Sequence, residues 1–84
     1  IFIGQNQPNP ASLKVYIPLE IPAGMNEKLS LKITNVLGQN MLNKTISQDS
    51  KGVEVEIENW EDGVYFYQLV GDKYQSAPFK MIVF

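Results

Sequence analysis

An all-β chain folded as an antiparallel sandwich is what this sequence predicts, on three observations. Apolar residues recur with period two along most of it. Turn-forming residues return roughly every 8–12 positions. No window carries a 3.6-residue apolar stripe between helix caps. We read about seven strands, near 1–6, 13–20, 28–35, 41–47, 52–58, 63–70 and 73–84. Greek-key connections of immunoglobulin-like type are expected for a sandwich of that kind.

The elements follow in order. Gly4-Gln5-Asn6-Gln7-Pro8-Asn9-Pro10 reads as an opening linker after a short apolar start. Leu13, Val15, Ile17 and Leu19 then alternate with Lys14, Tyr16 and Pro18, the signature of a half-buried strand. Pro22-Ala23-Gly24 breaks the chain before Leu29, Leu31 and Ile33 alternate with Ser30, Lys32 and Thr34. Asn35-Val36-Leu37-Gly38 fits a type I turn, with the Asn35 side chain accepting the Leu37 amide and Gly38 left-handed. Asp49-Ser50-Lys51-Gly52 is the next break, and Val53, Val55 and Ile57 alternate with Glu54, Glu56 and Glu58 after it. Val64 to Val70 forms the sixth strand, with Tyr65, Tyr67 and Leu69 on one face and Val64, Phe66 and Val70 on the other. Gly71-Asp72 reads as a two-residue hairpin loop of the primed kind, leading to a last strand from Lys73 to Phe84. Pro18 and Pro78 cannot donate to a ladder, so their strands are expected at an edge or at a bulge.

Eighty-four residues make a single domain able to bury only about 60–65% of its unfolded surface. Neither cysteine nor histidine occurs, which removes disulfides, thiolate zinc sites and the usual neutral-pH general base. Seven lysines face nine carboxylates, with no arginine, so the basic surplus of a nucleic-acid binder is missing. No apolar run approaches the roughly 20 residues of a transmembrane segment, and Ile1-Phe2-Ile3 is too short for a signal-peptide core. The first residue is not methionine, and we expect a piece excised from a longer protein.

Catalytic constellations are weak. Ser12, Ser30, Ser47, Ser50 and Ser76 have no histidine to activate them. Glu54, Glu56 and Glu58 read as a solvated face, since a raised carboxylate pKa needs burial. Their spacing lacks a calcium-loop pattern, so no metal and no cofactor is expected. Trp60, Tyr65, Phe66, Tyr67, Tyr74 and Phe79 read as mostly core rather than a sugar-stacking platform, because burying such rings contributes ~1.5–3 kcal/mol each. Asn43-Lys44-Thr45 matches a glycosylation sequon by its three residues alone.

Four landmarks fall into one order. They are Gln7-Pro8-Asn9-Pro10-Ala11, Leu29 to Asn35 with its Val36-Leu37-Gly38-Gln39 turn, Trp60-Glu61-Asp62-Gly63-Val64-Tyr65-Phe66-Tyr67-Gln68-Leu69, and a closing Lys80-Met81-Ile82-Val83. Together they resemble the type A C-terminal sorting domain of type IX secretion, the system of Bacteroidetes bacteria, across essentially the whole chain. The chain has Gln7, Asn35, Gln39 and Trp60 where that family often has an aromatic, Asp, Arg and Leu. The resemblance implies a folded address label at the end of an N-terminal cargo. It implies recognition by the outer-membrane translocon after export to the periplasm of a Gram-negative cell. It also implies removal by a sortase, with possible anchoring of the cargo to lipopolysaccharide, and a secreted or cell-surface destination. Such a domain is no enzyme.

The residues implied for translocon recognition are Lys80, Met81, Ile82 and Val83, while Pro8, Asn9, Pro10, Asn35, Gly38, Gly63 and Tyr65 are mainly structural. Gly63 is expected to supply a backbone conformation at a strand start, with the Tyr65 hydroxyl bonded to a turn. Pro78 is expected to put the last strand at an edge or to bend it, and Lys80 to Val83 would then offer an open backbone ladder for strand addition. The plainer expectation has Ile82 and Phe84 completing the core. Rival readings are a carbohydrate-binding or adhesive module of a secreted enzyme, favoured by an exposed aromatic row, and a structural spacer.

Overall fold

A computed structural model describes residues 1–84 and shows seven strands and no helix. In chain order they are β1 (Phe2–Ile3), β2 (Lys14–Glu20), β3 (Leu29–Asn35), β4 (Asn40–Ile46), β5 (Gly52–Glu56), β6 (Gly63–Val70) and β7 (Phe79–Val83). They form two antiparallel sheets, β1-β2-β5 and β4-β3-β6-β7, consistent with an immunoglobulin-like sandwich. The non-consecutive pairs β2–β5 and β3–β6 are the crossovers of a Greek key.

Period two explains the core. Val15, Ile17 and Leu19 of β2, with Val53 and Val55 of β5, face Leu29, Leu31 and Ile33 of β3 and Tyr65, Tyr67 and Leu69 of β6 in one buried cluster. Each is the apolar member of an alternating pair, so one face of each strand is dry and the other wet. Of the two faces of β6, the tyrosine face is the core and the Val64–Phe66 face looks outward.

The turn after β3 is built by Asn35. Its Oδ1 accepts the Leu37 and Gln39 amides at 2.9 and 3.0 Å, and its Nδ2 donates to Gln39 Oε1 at 2.8 Å. Gly38 has φ +82, a conformation that costs an L-residue roughly 1–2 kcal/mol.

Four sequence expectations need correction. The Gly71-Asp72 loop is wider than two residues: Val70 bridges Gln75, and the Gly71 amide donates to Tyr74 O at 2.7 Å. Gly71 is not left-handed. The Glu27 carboxylate accepts the Lys73 and Tyr74 amides and holds this broader loop. Second, β7 begins at Phe79, not Lys73. Leu69 opposes Ser76, yet Tyr67 opposes Phe79, so one extra residue is accommodated around Ala77-Pro78 as a bulge. The Ser76 hydroxyl accepts the Leu69 amide there at 2.9 Å, in place of a ladder bond.

Third, Pro18 is not at an edge but in the middle strand of the three-stranded sheet, and the irregularity beside it is in the facing segment, where one extra residue is taken up between Gly4 and Gln7. Gly4 N–H donates to Pro18 O at 2.9 Å, and the reciprocal bond to Gly4 O needs an N–H that proline lacks. The Tyr67 hydroxyl supplies it, reaching across the core to Gly4 O at 2.6 Å. Burial raises the Tyr67 pKa to about 12, opposed in part by the Asn6 backbone amide. Fourth, Gly4 to Pro10 is not a linker. Gln7 pairs with Tyr16 of β2, and Ala11 pairs in parallel with Val83 of β7, so this segment passes from one sheet to the other and closes that side of the sandwich.

By register the two chain ends lie at opposite ends of the strands, in a body whose longest extent is 38 Å. Phe2 sits opposite Glu20, where β2 finishes beside the start of β5. Val83 sits opposite Gly63, where β6 starts beside the end of β3.

Candidate functional site

The last strand alternates like the others. Met81 and Val83 are 0% and 2% exposed and belong to the core, while Lys80 is exposed and Ile82 half-buried on the outer face. Phe84, beyond the strand, is 65% exposed. The expectation that Ile82 and Phe84 complete the core is therefore reversed: the odd positions do so, because they share a face with Tyr65 and Tyr67.

β7 is an edge strand by sheet order, but its outer ladder is already engaged. Ile82 N–H donates to Asn9 Oδ1 at 3.0 Å, Ala11 N–H to Ile82 O at 2.8 Å, and Phe84 N–H to Ala11 O at 3.0 Å. Gln5 Nε2 donates to Lys80 O at 2.9 Å. The buried Asn6 braces this strap, its Nδ2 donating to Pro8 O at 2.7 Å and its Oδ1 accepting from Gln5 at 2.6 Å. Pro8 and Pro10 have no N–H to offer, and the Asn9 side chain between them serves as the acceptor for the Ile82 amide. The Gln7–Pro8 and Asn9–Pro10 bonds are cis. The open ladder expected for strand addition is thus occupied by the chain's own first residues.

The remaining motif residues gather at the same end. Asn35 pairs with Tyr65, Gly63 with Val83, and Ala11 with Val83. Gly63 has φ +153, which favours glycine. The Tyr65 hydroxyl donates to Glu61 O at 2.7 Å, and the Trp60 ring lies 5.1 Å from the Tyr65 ring. Burial, then the charges of Glu61 and Asp62, holds the Tyr65 hydroxyl above its usual pKa.

Sequence reading missed Gln5 and Asn6 as members of the strap. The signal was partial: two prolines remove two backbone donors from this stretch, so polar side chains beside them are candidates to bond in the strap. It also left Val64 and Phe66 without a role, although their alternation with the tyrosines marked a second face.

These features define an immunoglobulin-like β module organised around its own clamped terminal strand. A family model described as a secretion system C-terminal sorting domain matches residues 7–83, and the chain belongs to that family, the type IX secretion C-terminal sorting domains. Neither a curated protein nor a solved structure matches the chain. Membership implies a cargo-attached signal handled by the type IX machinery, and a secreted or cell-surface cargo. The family is typically non-enzymatic.

Proposed function

We propose that this chain is the terminal address of a longer exported protein, read by the type IX translocon through the outward side chains of its last strand. The clamped strand carries that reading. With Met81 and Val83 in the core and the backbone engaged by the strap, Lys80 and Ile82 are what the strand presents to a receptor, with Phe84 just beyond it. Met81 and Val83 set the position of those side chains and do not touch the partner. Pro8, Asn9, Pro10, Asn35, Gly38, Gly63 and Tyr65 shape the end of the sandwich that holds the strand.

On this reading the domain is a substrate of the export machinery. A sortase cuts ahead of it and joins the released cargo to anionic lipopolysaccharide on the surface of a Gram-negative cell of the Bacteroidetes type.

Deleting Lys80 to Phe84 is a poor test, because it removes Met81 and Val83 from the core. The double variant Lys80→Ala, Ile82→Ser leaves the core intact. Fused behind a reporter in a type IX-competent host, it should hold the reporter in the periplasm while circular dichroism of the isolated variant stays native. Normal export of a folded variant would refute the reading.

A further inference from the structure

We infer that the receptor grips the outer face of the whole four-stranded sheet, and that it presents carboxylates around an apolar patch. The inference rests on the export reading above and extends it from one strand to a surface. Cross-strand register sets Lys80 beside Phe66 and Ile82 beside Val64, with Phe66 flanked on its other side by Thr34 of β3. Directly opposed residues share a face, so Val64, Phe66 and Ile82 form one apolar strip, with Lys80 and Lys32 at its margin. A sheet face turned to water is ordinarily polar. Here all three apolar side chains are only half-buried, and both lysines are exposed.

Charge separates the two sheets. The strands β3, β4, β6 and β7 carry Lys32, Lys44 and Lys80 and no carboxylate. The strands β1, β2 and β5 carry Glu20, Glu54 and Glu56, with Lys14 alone among them, and Lys14 Nζ lies 3.7 Å from Glu54. No carboxylate lies within ion-pair distance of Lys32 or Lys80, and the one acidic residue in the cleft beside Lys32, Asp72, is accompanied there by Lys28. An apolar strip edged by free cations complements an apolar patch edged by anions.

A protein partner fits better than an anionic membrane. Membrane attachment through lysines gains about 1 kcal/mol each and calls for roughly 4–8 of them together, and this face has far fewer. The area also fits a passing contact. Four strands about 4.8 Å apart, seven residues long at about 3.3 Å each, project on the order of 450 Å². A standard interface covers about 800 Å² per partner, so this complex is transient, as a label that is later released requires.

The test uses the whole chain behind a reporter in a type IX-competent host, with detergent-purified translocon as the binding probe. Lys32→Glu should lower both reporter release and translocon binding about tenfold, and Phe66→Ser at least as much. Added salt should weaken the wild type more than Lys32→Glu. The double variant Glu54→Lys, Glu56→Lys on the other sheet should change both by less than about twofold. Thermal melts establish folding, and Lys32→Glu, fully on the surface, keeps the test decisive if Phe66→Ser unfolds. A folded Lys32→Glu that binds and exports like wild type overturns the inference. So does Lys32-dependent binding to vesicles of anionic phospholipid without Lys32-dependent translocon binding. If Lys80→Ala, Ile82→Ser blocks export while Lys32→Glu does not, the surface falls and the address reading stands. If the wild-type chain exports no reporter, both fall.

Discussion

The sandwich has two long sides, and they are built differently. On one, the segment from Gln5 to Ala11 bonds to β7 through Gln5, to β2 through Gln7 and to β7 again through Asn9 and Ala11, lacing the sheets together over the terminal strand. On the other, β4 and β5 face solvent without any such strap. Every side chain of β4 except Leu42 and Ile46 is exposed. There Lys44 lies beside Glu54 and Glu56 around a shallow cleft with Leu42 and Val55, and charges along an exposed edge discourage unwanted strand pairing. The contrast separates two ways of managing an edge: one is covered by backbone and side-chain hydrogen bonds, the other is kept soluble by charge. The covered edge is the one bearing β7, the strand proposed above to be read by the translocon.

If that contrast is real, substitutions on the two sides should differ widely. Met81→Ala in β7 opens a cavity in the core and should cost ~2–5 kcal/mol, lowering the melting temperature by on the order of 10–40 °C. Thr45→Ala in β4 should stay within about 0.5 kcal/mol. Equal melting temperatures for the two would erase the distinction.

Tyr67→Phe tests the bond that replaces the missing proline donor. It leaves the Gly4 carbonyl unpaired and should cost about 1–3 kcal/mol by denaturant unfolding. The same hydroxyl predicts a pH effect. Its folded pKa is raised to about 12 from 10.0, so the neutral form is favoured in the fold. That contribution is complete below pH 10, where the unfolded chain begins to ionise, and is lost as pH rises towards 12. Tyr67→Phe should flatten that part of the alkaline unfolding curve.

Asn9→Ala removes one acceptor from a partly solvated strap and should cost only about 0.5–1.5 kcal/mol. Its sharper readout is hydrogen exchange, where the Ile82 amide should lose protection while β4 amides do not change.

Much of this architecture was legible in the sequence. The alternation in β2, β3, β5 and β6 located those strands to within a residue or two, and Asn35 with Gly38 wrote its turn in local chemistry. What was not legible depends on partners far along the chain. The Asn9 bond spans 73 residues, and the Tyr67 bond to Gly4 spans 63. No periodicity encodes either. Pro18 was misplaced because a missing donor was assumed to remain unreplaced, and Tyr67 replaces it. The start of β7 was misplaced because Ser76 and Pro78 interrupt a ladder whose residues still look like strand. At the candidate site, the resemblance picked out the last strand, but only coordinates divide it into inward Met81 and Val83 and outward Lys80 and Ile82.

Ile1 and Phe84 occupy opposite poles of the sandwich. A polypeptide joined ahead of Ile1 leaves from the pole opposite Phe84 and, on the export reading proposed above, stays clear of the Lys80–Phe84 end of the docking face. On that reading a passenger's size and shape would weigh little at that end of the label.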